Sequence, residues 1–228
     1  CGGIVVSTER MDRIVEINED AMYMVVQAGV ITARIQEEAR KRGLLYAGDP
    51  CSGDCCCIGG NGATNAGGNR AVKYGTTRDQ IYAIEVVTPT GQIAHLGKRL
   101  HKMTAGYPLE KIVIGSEGTL GIITELTLKL VLLPRATAHV LAVFPSPETA
   151  LALVTALPKA GITPTCLEFM DYDVISVVQD WFKEKQPCPA GGAYMIIQLD
   201  SSRDETLDDD CVTVDEVCRR LGAVDVFM

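Results

Sequence analysis

The sequence predicts an α+β protein of two domains with the boundary at Pro134. Three observations carry that reading. Ile58 to Gly68 holds five glycines in eleven residues, a backbone built for close approach rather than for a core. Leu126, Leu128, Leu130 and Leu132 alternate with Thr127, Lys129 and Val131, so a long one-sided strand runs up to Pro134. Beyond it the apolar periodicity switches to β-α-β-α-β-α-β, the order of a ferredoxin-like sandwich.

Before Pro134, short strands are expected at Ile4 to Ser7, Asp12 to Asn18 and Met22 to Ala28, with Gly29 as the turn. Thr32 is placed as the cap of a helix reaching Arg42, with Ile31, Ile35 and Ala39 on its apolar side and Gly43 as its stop. Leu44 to Tyr46 leads into the Asp49-Pro50 turn. Ile81 to Thr88 and Gln92 to Leu96 form a hairpin about Pro89-Thr90-Gly91. Leu109 to Ile114 reads as a short helix closed by the tight turn Gly115-Ser116-Glu117-Gly118, and the long strand starts from Thr119.

After Pro134, His139 to Phe144 is a strand. Ser146 caps a helix that has Pro147 at its first position and runs to Lys159. Cys166 to Met170 is a strand, and Tyr172 to Lys185 an amphipathic helix with Val174, Val177, Val178 and Trp181 on one side. Ala193 to Leu199, Glu205 to Leu221 and Val224 to Met228 complete the order as strand, helix and strand.

The 228 residues suffice for real cores, and 47% apolar against 22% charged residues is the balance of a globular chain. A formal charge of -8 with 5% aromatics argues against nucleic acid as a partner. No apolar run approaches the ~18 residues of a membrane span, so no integral membrane segment is expected. The chain opens on Cys1-Gly2-Gly3 without Met or a basic leader and stops at a strand, so both ends read as cut. Of nine cysteines, Cys51, Cys55, Cys56 and Cys57 crowd together. Consecutive side chains diverge and no matching C-x-x-C partner follows, so no metal site is expected. An odd count fits reduced thiols and a cytoplasmic location.

In the glycine-rich stretch, freed N–H groups can converge on an anion, with Asn61, Thr64 and Asn65 adding short polar side chains. The alternative is a flexible linker, but linkers of that kind are Gly/Ser-rich and lack the interior Ile, Thr and paired Asn seen here.

Several stretches in register are similar to one family. They are Asp49-Pro50, Ile58-Gly59-Gly60-Asn61, Ala63-Thr64-Asn65-Ala66-Gly67-Gly68, Lys73-Tyr74-Gly75-Thr76-Thr77-Arg78-Asp79, and the run from Gly115 to Thr124. Together they resemble the vanillyl-alcohol-oxidase/PCMH-type FAD-linked oxidases, in the branch of glycolate oxidase and D-lactate dehydrogenase. The resemblance implies a PCMH-type FAD-binding domain over residues 1–133, its second subdomain mostly present and its first partial. Residues 134–228 would be part of the FAD-linked oxidase C-terminal, or cap, domain. It implies non-covalent FAD lined by Pro50, Cys56, Cys57, Gly59, Gly60, Asn61, Thr64, Asn65, Ala66 and Gly67. Glu117, Gly118, Gly121, Ile122 and Ile123 would wrap the cofactor from the other side.

Departures from the family pattern are the triple cysteine at 55–57, where relatives carry small residues ending in Thr, and Lys102-Met103 with Gly106-Tyr107-Pro108-Leu109. His95, His101 and His139 match no covalent flavin attachment. No catalytic residue is assigned, because the family's substrate motifs fall outside this chain. The implied activity is oxidation of a D-2-hydroxy acid of D-lactate or glycolate type, hydride going to flavin N5 and electrons onward to a protein or quinone acceptor. Rivals are a same-fold flavoenzyme of different reaction, such as non-redox alkyl transfer, and an inactive apo fragment whose exposed cradle drives homo-oligomers.

Overall fold

A strand is held only if a partner satisfies its backbone, and the partners here separate the chain into two bodies. The computed structural model describes residues 2–183 and 187–228. They divide into two units between Leu133 and Pro134.

In the first unit the chain runs β1 (Ile14–Asn18), β2 (Tyr23–Gln27), α1 (Thr32–Arg40), β3 (Leu44–Leu45), α2 (Ile58–Thr64) and α3 (Ala71–Tyr74). A 3-10 turn at Thr77–Gln80 leads to β4 (Ile81–Val87), β5 (Ile93–Gly97), α4 (Leu109–Val113), β6 (Ile122–Lys129) and β7 (Val131–Leu132). Five strands form an antiparallel sheet in the order β1-β2-β6-β4-β5, and β3 pairs with β7 beside it. The period-2 pattern of β6 puts Leu126 and Leu128 on the inner face, where they are fully buried against Ile35 of α1 and Ile58 of α2. Each such side chain contributes about 1.5–3 kcal/mol by leaving water, so the inner face of β6 anchors the unit.

The second unit runs β8 (Ala136–Phe144), α5 (Pro147–Leu151), α6 (Leu153–Lys159), β9 (Cys166–Asp171), α7 (Tyr172–Phe182), β10 (Ala193–Ser201), α8 (Asp204–Arg220) and β11 (Asp225–Phe227). Its antiparallel sheet has the order β11-β8-β10-β9. Counted within the unit, this is fourth, first, third and second, the strand order of the ferredoxin-like sandwich with one extra helix, α7. Phe144, Met195 and Ile197 face α5, α6 and α8, while Val143 and Tyr194 on the opposite face meet Ile175 of α7.

Several expectations are corrected. Ile4 to Ser7 is not a strand: no described strand pairs with it, and Ile4 and Val5 are 93% and 96% exposed. Thr32 is the first helical residue of α1 and Ile31 its N-cap, because the Thr32 N–H and hydroxyl are turned to the carbonyl of Cys56. The helix expected from Pro147 to Lys159 is two helices meeting at Ala152, although Ser146 does cap the first, its Oγ accepting from the Thr149 N–H. Leu132 leaves the alternating face, 73% exposed in β7. On α7 the apolar side is largely exposed, Trp181 at 82%, and among its described side chains Ile175 is the one buried against the sheet. Lys185, the expected end of that helix, lies outside the described residues.

Candidate functional site

The glycine-rich stretch is a helix. Glycine is a poor helix former, so α2 is not made by its own propensity; it is held at both ends by the fold. At its start, the Ile58 and Gly59 N–H groups donate to the Val30 and Ala28 carbonyls, and Ile31 bridges to Cys57. At its end, the Gly115 and Glu117 N–H groups donate to the Gly62 and Ala63 carbonyls at 3.0 and 2.8 Å. Those are the carbonyls a helix leaves without partners. The turn expected at 115–118 therefore docks on the C-terminus of α2, and the two motif stretches become one surface.

The glycines divide by what lies beside them. A Cβ at Gly59 would stand 2.6 Å from the Cβ of Ala28, and one at Gly62 would stand 3.1 Å from Leu126, so both serve helix-to-sheet packing. A Cβ at Gly60 or Gly67 would meet nothing within 4 Å. Packing gives no reason for a bare backbone at these two positions, and both open outward. Bare backbone open to the outside is a surface on which a flat or anionic ligand can lie closely.

The remaining expected residues sit as follows. Asn61 is buried, and its Nδ2 donates to the Thr32 hydroxyl at 2.8 Å, so its side chain braces α2 against α1. The half-buried Cys56 thiol lies 3.3 Å from the same hydroxyl. Cys57 is the half-buried N-cap residue, and burial pushes its thiol up from the usual range. Thr64 is exposed, its hydroxyl turned back on the Gly60 carbonyl. Asn65 closes α2 in the left-handed region at φ 50°, and its Oδ1 accepts the Arg78 N–H at 2.8 Å. The Ala66 carbonyl accepts both the N–H and the hydroxyl of Thr77. Pro50 stands in a turn pinned by its neighbour Asp49, which accepts from Gln36 and pairs with Arg70 at 3.4 Å. Glu117 has φ 51°, and Gly118 beside it is open. Gly121 is buried against Val86 and Val87, Ile122 is exposed, and the buried Ile123 reaches α2 near Gly62.

What residue-by-residue reading missed is the bracing. Arg78 gives its N–H to Asn65 and its Nη2 to the Ile114 carbonyl, while its own carbonyl accepts the Lys111 ammonium. One residue thus ties the end of α2, the 115–118 turn and α4. Its place inside the Lys73–Asp79 motif was the signal. Beside this surface, Arg70 Nη1 and Arg78 Nε are buried with no hydrogen-bond partner among the described residues. No cluster of metal-ligating side chains occurs among the described residues. An open-glycine surface next to buried guanidinium groups fits a phosphate-bearing, planar cofactor.

Comparison with known proteins names the class. Residues 1–97 match the FAD binding domain family, and residues 133–228 match the C-terminal domain of FAD linked oxidases. The chain belongs to the FAD-linked oxidases, with FAD as the family's cofactor. It is 39% identical to a D-lactate dehydrogenase of Anaerostipes hadrus across all of this chain and 49% of that protein. It is 38% identical to the glycolate oxidase subunit GlcD of Bacillus subtilis across 99% of this chain and 47% of that one. A D-2-hydroxyglutarate dehydrogenase of Xanthomonas citri pv. viticola is 32% identical across 98% of this chain and 47% of that protein. The chain therefore spans about half the length of the curated relatives it matches. Among solved structures, an alkyldihydroxyacetonephosphate synthase superposes with a TM-score of 0.78 at 23% identity, over 96% of this chain and 41% of that one, which shows the shared fold.

Proposed function

We propose that this chain supplies one wall of the flavin site, and part of the cap, of an FAD-dependent dehydrogenase of D-2-hydroxy acids. The observation that carries the reading is the joined surface of α2 and the 115–121 turn, with Gly60 and Gly67 bare where packing requires nothing. Relatives named for D-lactate, glycolate and D-2-hydroxyglutarate support the substrate class. Residues 1–133 are assigned to the FAD-binding domain and 134–228 to the cap.

The lining is assigned to Pro50, Cys56, Cys57, Gly59, Gly60, Asn61, Thr64, Asn65, Ala66 and Gly67, on α2 and the residues flanking it. It continues on the docked turn and the start of β6 with Glu117, Gly118, Gly121, Ile122 and Ile123. Within that set the geometry supports different tasks. Gly60, Gly67 and Gly118 offer bare backbone, whereas Asn61 and Ile123 hold α2 in place from behind. When bound, FAD would supply the two-electron acceptor, its N5 being the position for a hydride from the substrate carbon. The walls of this chain position the cofactor and exclude water from it; the proton of the substrate hydroxyl is left to a base that these residues do not provide. A protein or quinone acceptor completes the turnover. The eight described cysteines are free thiols, which supports a reducing, cytoplasmic setting, and no described helix is long and apolar enough to cross a membrane.

The test is anaerobic mixing of D-lactate, glycolate or D-2-hydroxyglutarate with flavin-loaded protein of its relatives' length that contains this chain. Loss of the visible flavin band with one of the three is the expected result. A band that all three leave unchanged overturns the proposed substrate class, and failure to retain flavin at all overturns the cradle.

A further inference from the structure

A cavity of about 350 Å³ lies between the β4–β5 hairpin, the 98–108 loop and α4. The flavin reading does not use it. Its wall carries Lys98, Lys111, Lys129, Glu110, Tyr82 and His101. Glu110 is 6% exposed, with its stem packed over Gly97 of β5. Its Oε2 is buried and has no hydrogen-bond partner among the described residues. A buried carboxylate oxygen left without a donor has lost its water and gained nothing in return, so such an atom calls for an explanation.

The neighbours do not supply the missing donor. Lys111 gives its ammonium to the Arg78 and Ile81 carbonyls; burial lowers its pKa, and the nearby Glu110 charge opposes that shift through space without receiving a hydrogen bond. Tyr82 and His101 pair with each other, Oη to Nδ1 at 3.1 Å. The one other acid in the wall, Asp79, is occupied by the Thr76 N–H and hydroxyl. The ammonium groups of Lys98 and Lys129 form no hydrogen bond or ion pair among the described residues. One cavity thus holds two unpaired cations and one unpartnered anionic acceptor that do not reach one another.

A bare anion would satisfy the lysines and leave Glu110 alone; a bare cation would do the reverse. We propose that the cavity binds a small carboxylate that also carries a hydrogen-bond donor, with the carboxylate against Lys98 and Lys129 and a hydroxyl or ammonium donating to Glu110. The volume is at the small end of ligand pockets, which restricts the guest to metabolite size. The site needs no flavin, so it stands whether or not the proposed dehydrogenase reading does.

The experiment is titration of the purified, flavin-free chain with D-malate, L-aspartate and succinate, followed by backbone NMR shifts, with sodium chloride as the ionic control. Saturable binding of malate or aspartate is expected, about tenfold or more tighter than succinate, which has the carboxylates without the donor. A lead for malate identifies the donor as a hydroxyl, and a lead for aspartate identifies it as an ammonium. The double variant Lys98→Ala/Lys129→Ala should lose about tenfold or more in affinity with the thermal midpoint unchanged, since neither side chain has a partner to lose. Glu110→Gln should erase the preference over succinate. The site is overturned by shifts that follow chloride alone or never saturate. Equal affinities for malate, aspartate and succinate, or binding that survives the double lysine variant, overturn it too.

Discussion

A methyl group added at Gly60 meets nothing within 4 Å, whereas one added at Gly59 stands 2.6 Å from the Ala28 Cβ and 2.9 Å from its carbonyl oxygen. The two substitutions should therefore part company. Gly60→Ala removes unfolded-state freedom at an unstrained helical position, and the flavin-free chain should gain about 0.5–1 kcal/mol. Gly59→Ala forces backbone apart in a packed seam and should cost about 1–3 kcal/mol. Urea midpoints of the two variants check both signs. Under the flavin reading, Gly60→Ala should also weaken FAD retention on desalting while improving stability, a combination that a purely structural glycine does not give. The sequence marks Ile58 to Gly68 as a stretch of unusually bare backbone. It could not sort Gly59 from Gly60, because the sorting depends on Ala28, some thirty residues away in the chain.

At the level of elements, local signals succeeded where the chain itself supplied the partner. Ser146-Pro147 reads as a helix start and is one, its cap made within four residues. Ser146→Ala should cost about 1 kcal/mol, seen as a lowered unfolding midpoint of the second unit. Signals failed where a distant partner decides. Ile4 to Ser7 has strand propensity but no described strand beside it, and α2 has glycine's poor propensity yet is fixed by Val30, Ala28 and the 115–118 turn. The buried face of α8 adds a pH response. Burial, helped by the nearby Asp215, pushes the Cys218 thiol from 9.0 up to about 12. The unfolded chain releases that proton first, so the stabilising difference is complete below pH 9 and is lost as pH rises toward 12. Thermal midpoints of wild type should fall more steeply above pH 9 than those of Cys218→Val.

For the molecule as a whole, the two units have separate cores, one built on β6 and one on β8 and β10. Among the described residues, nothing in the core of one unit is drawn from the other. Two cooperative transitions are therefore expected in a denaturant series, and Ser146→Ala should displace only one of them. A single transition displaced as a whole would contradict this. The two units meet at Pro134, where the sequence ends its apolar alternation, but β6 itself stops at Lys129 and Val131–Leu132 pairs in a second sheet, a switch that the alternation hides. The sheet order of the second unit was legible as a class of fold but not strand by strand, since register rests on pairings such as Met195 with Ala142 that no local window contains.

Arg78 has one further consequence. Its carbonyl receives Lys111 from the wall of the cavity, and its N–H holds Asn65 at the end of α2, so the cavity and the glycine surface share one residue, through the two peptide units that flank its Cα. Thermodynamic reciprocity then binds them. By whatever factor a guest in the cavity changes affinity at the glycine surface, a guest on the glycine surface must change affinity in the cavity by the same factor.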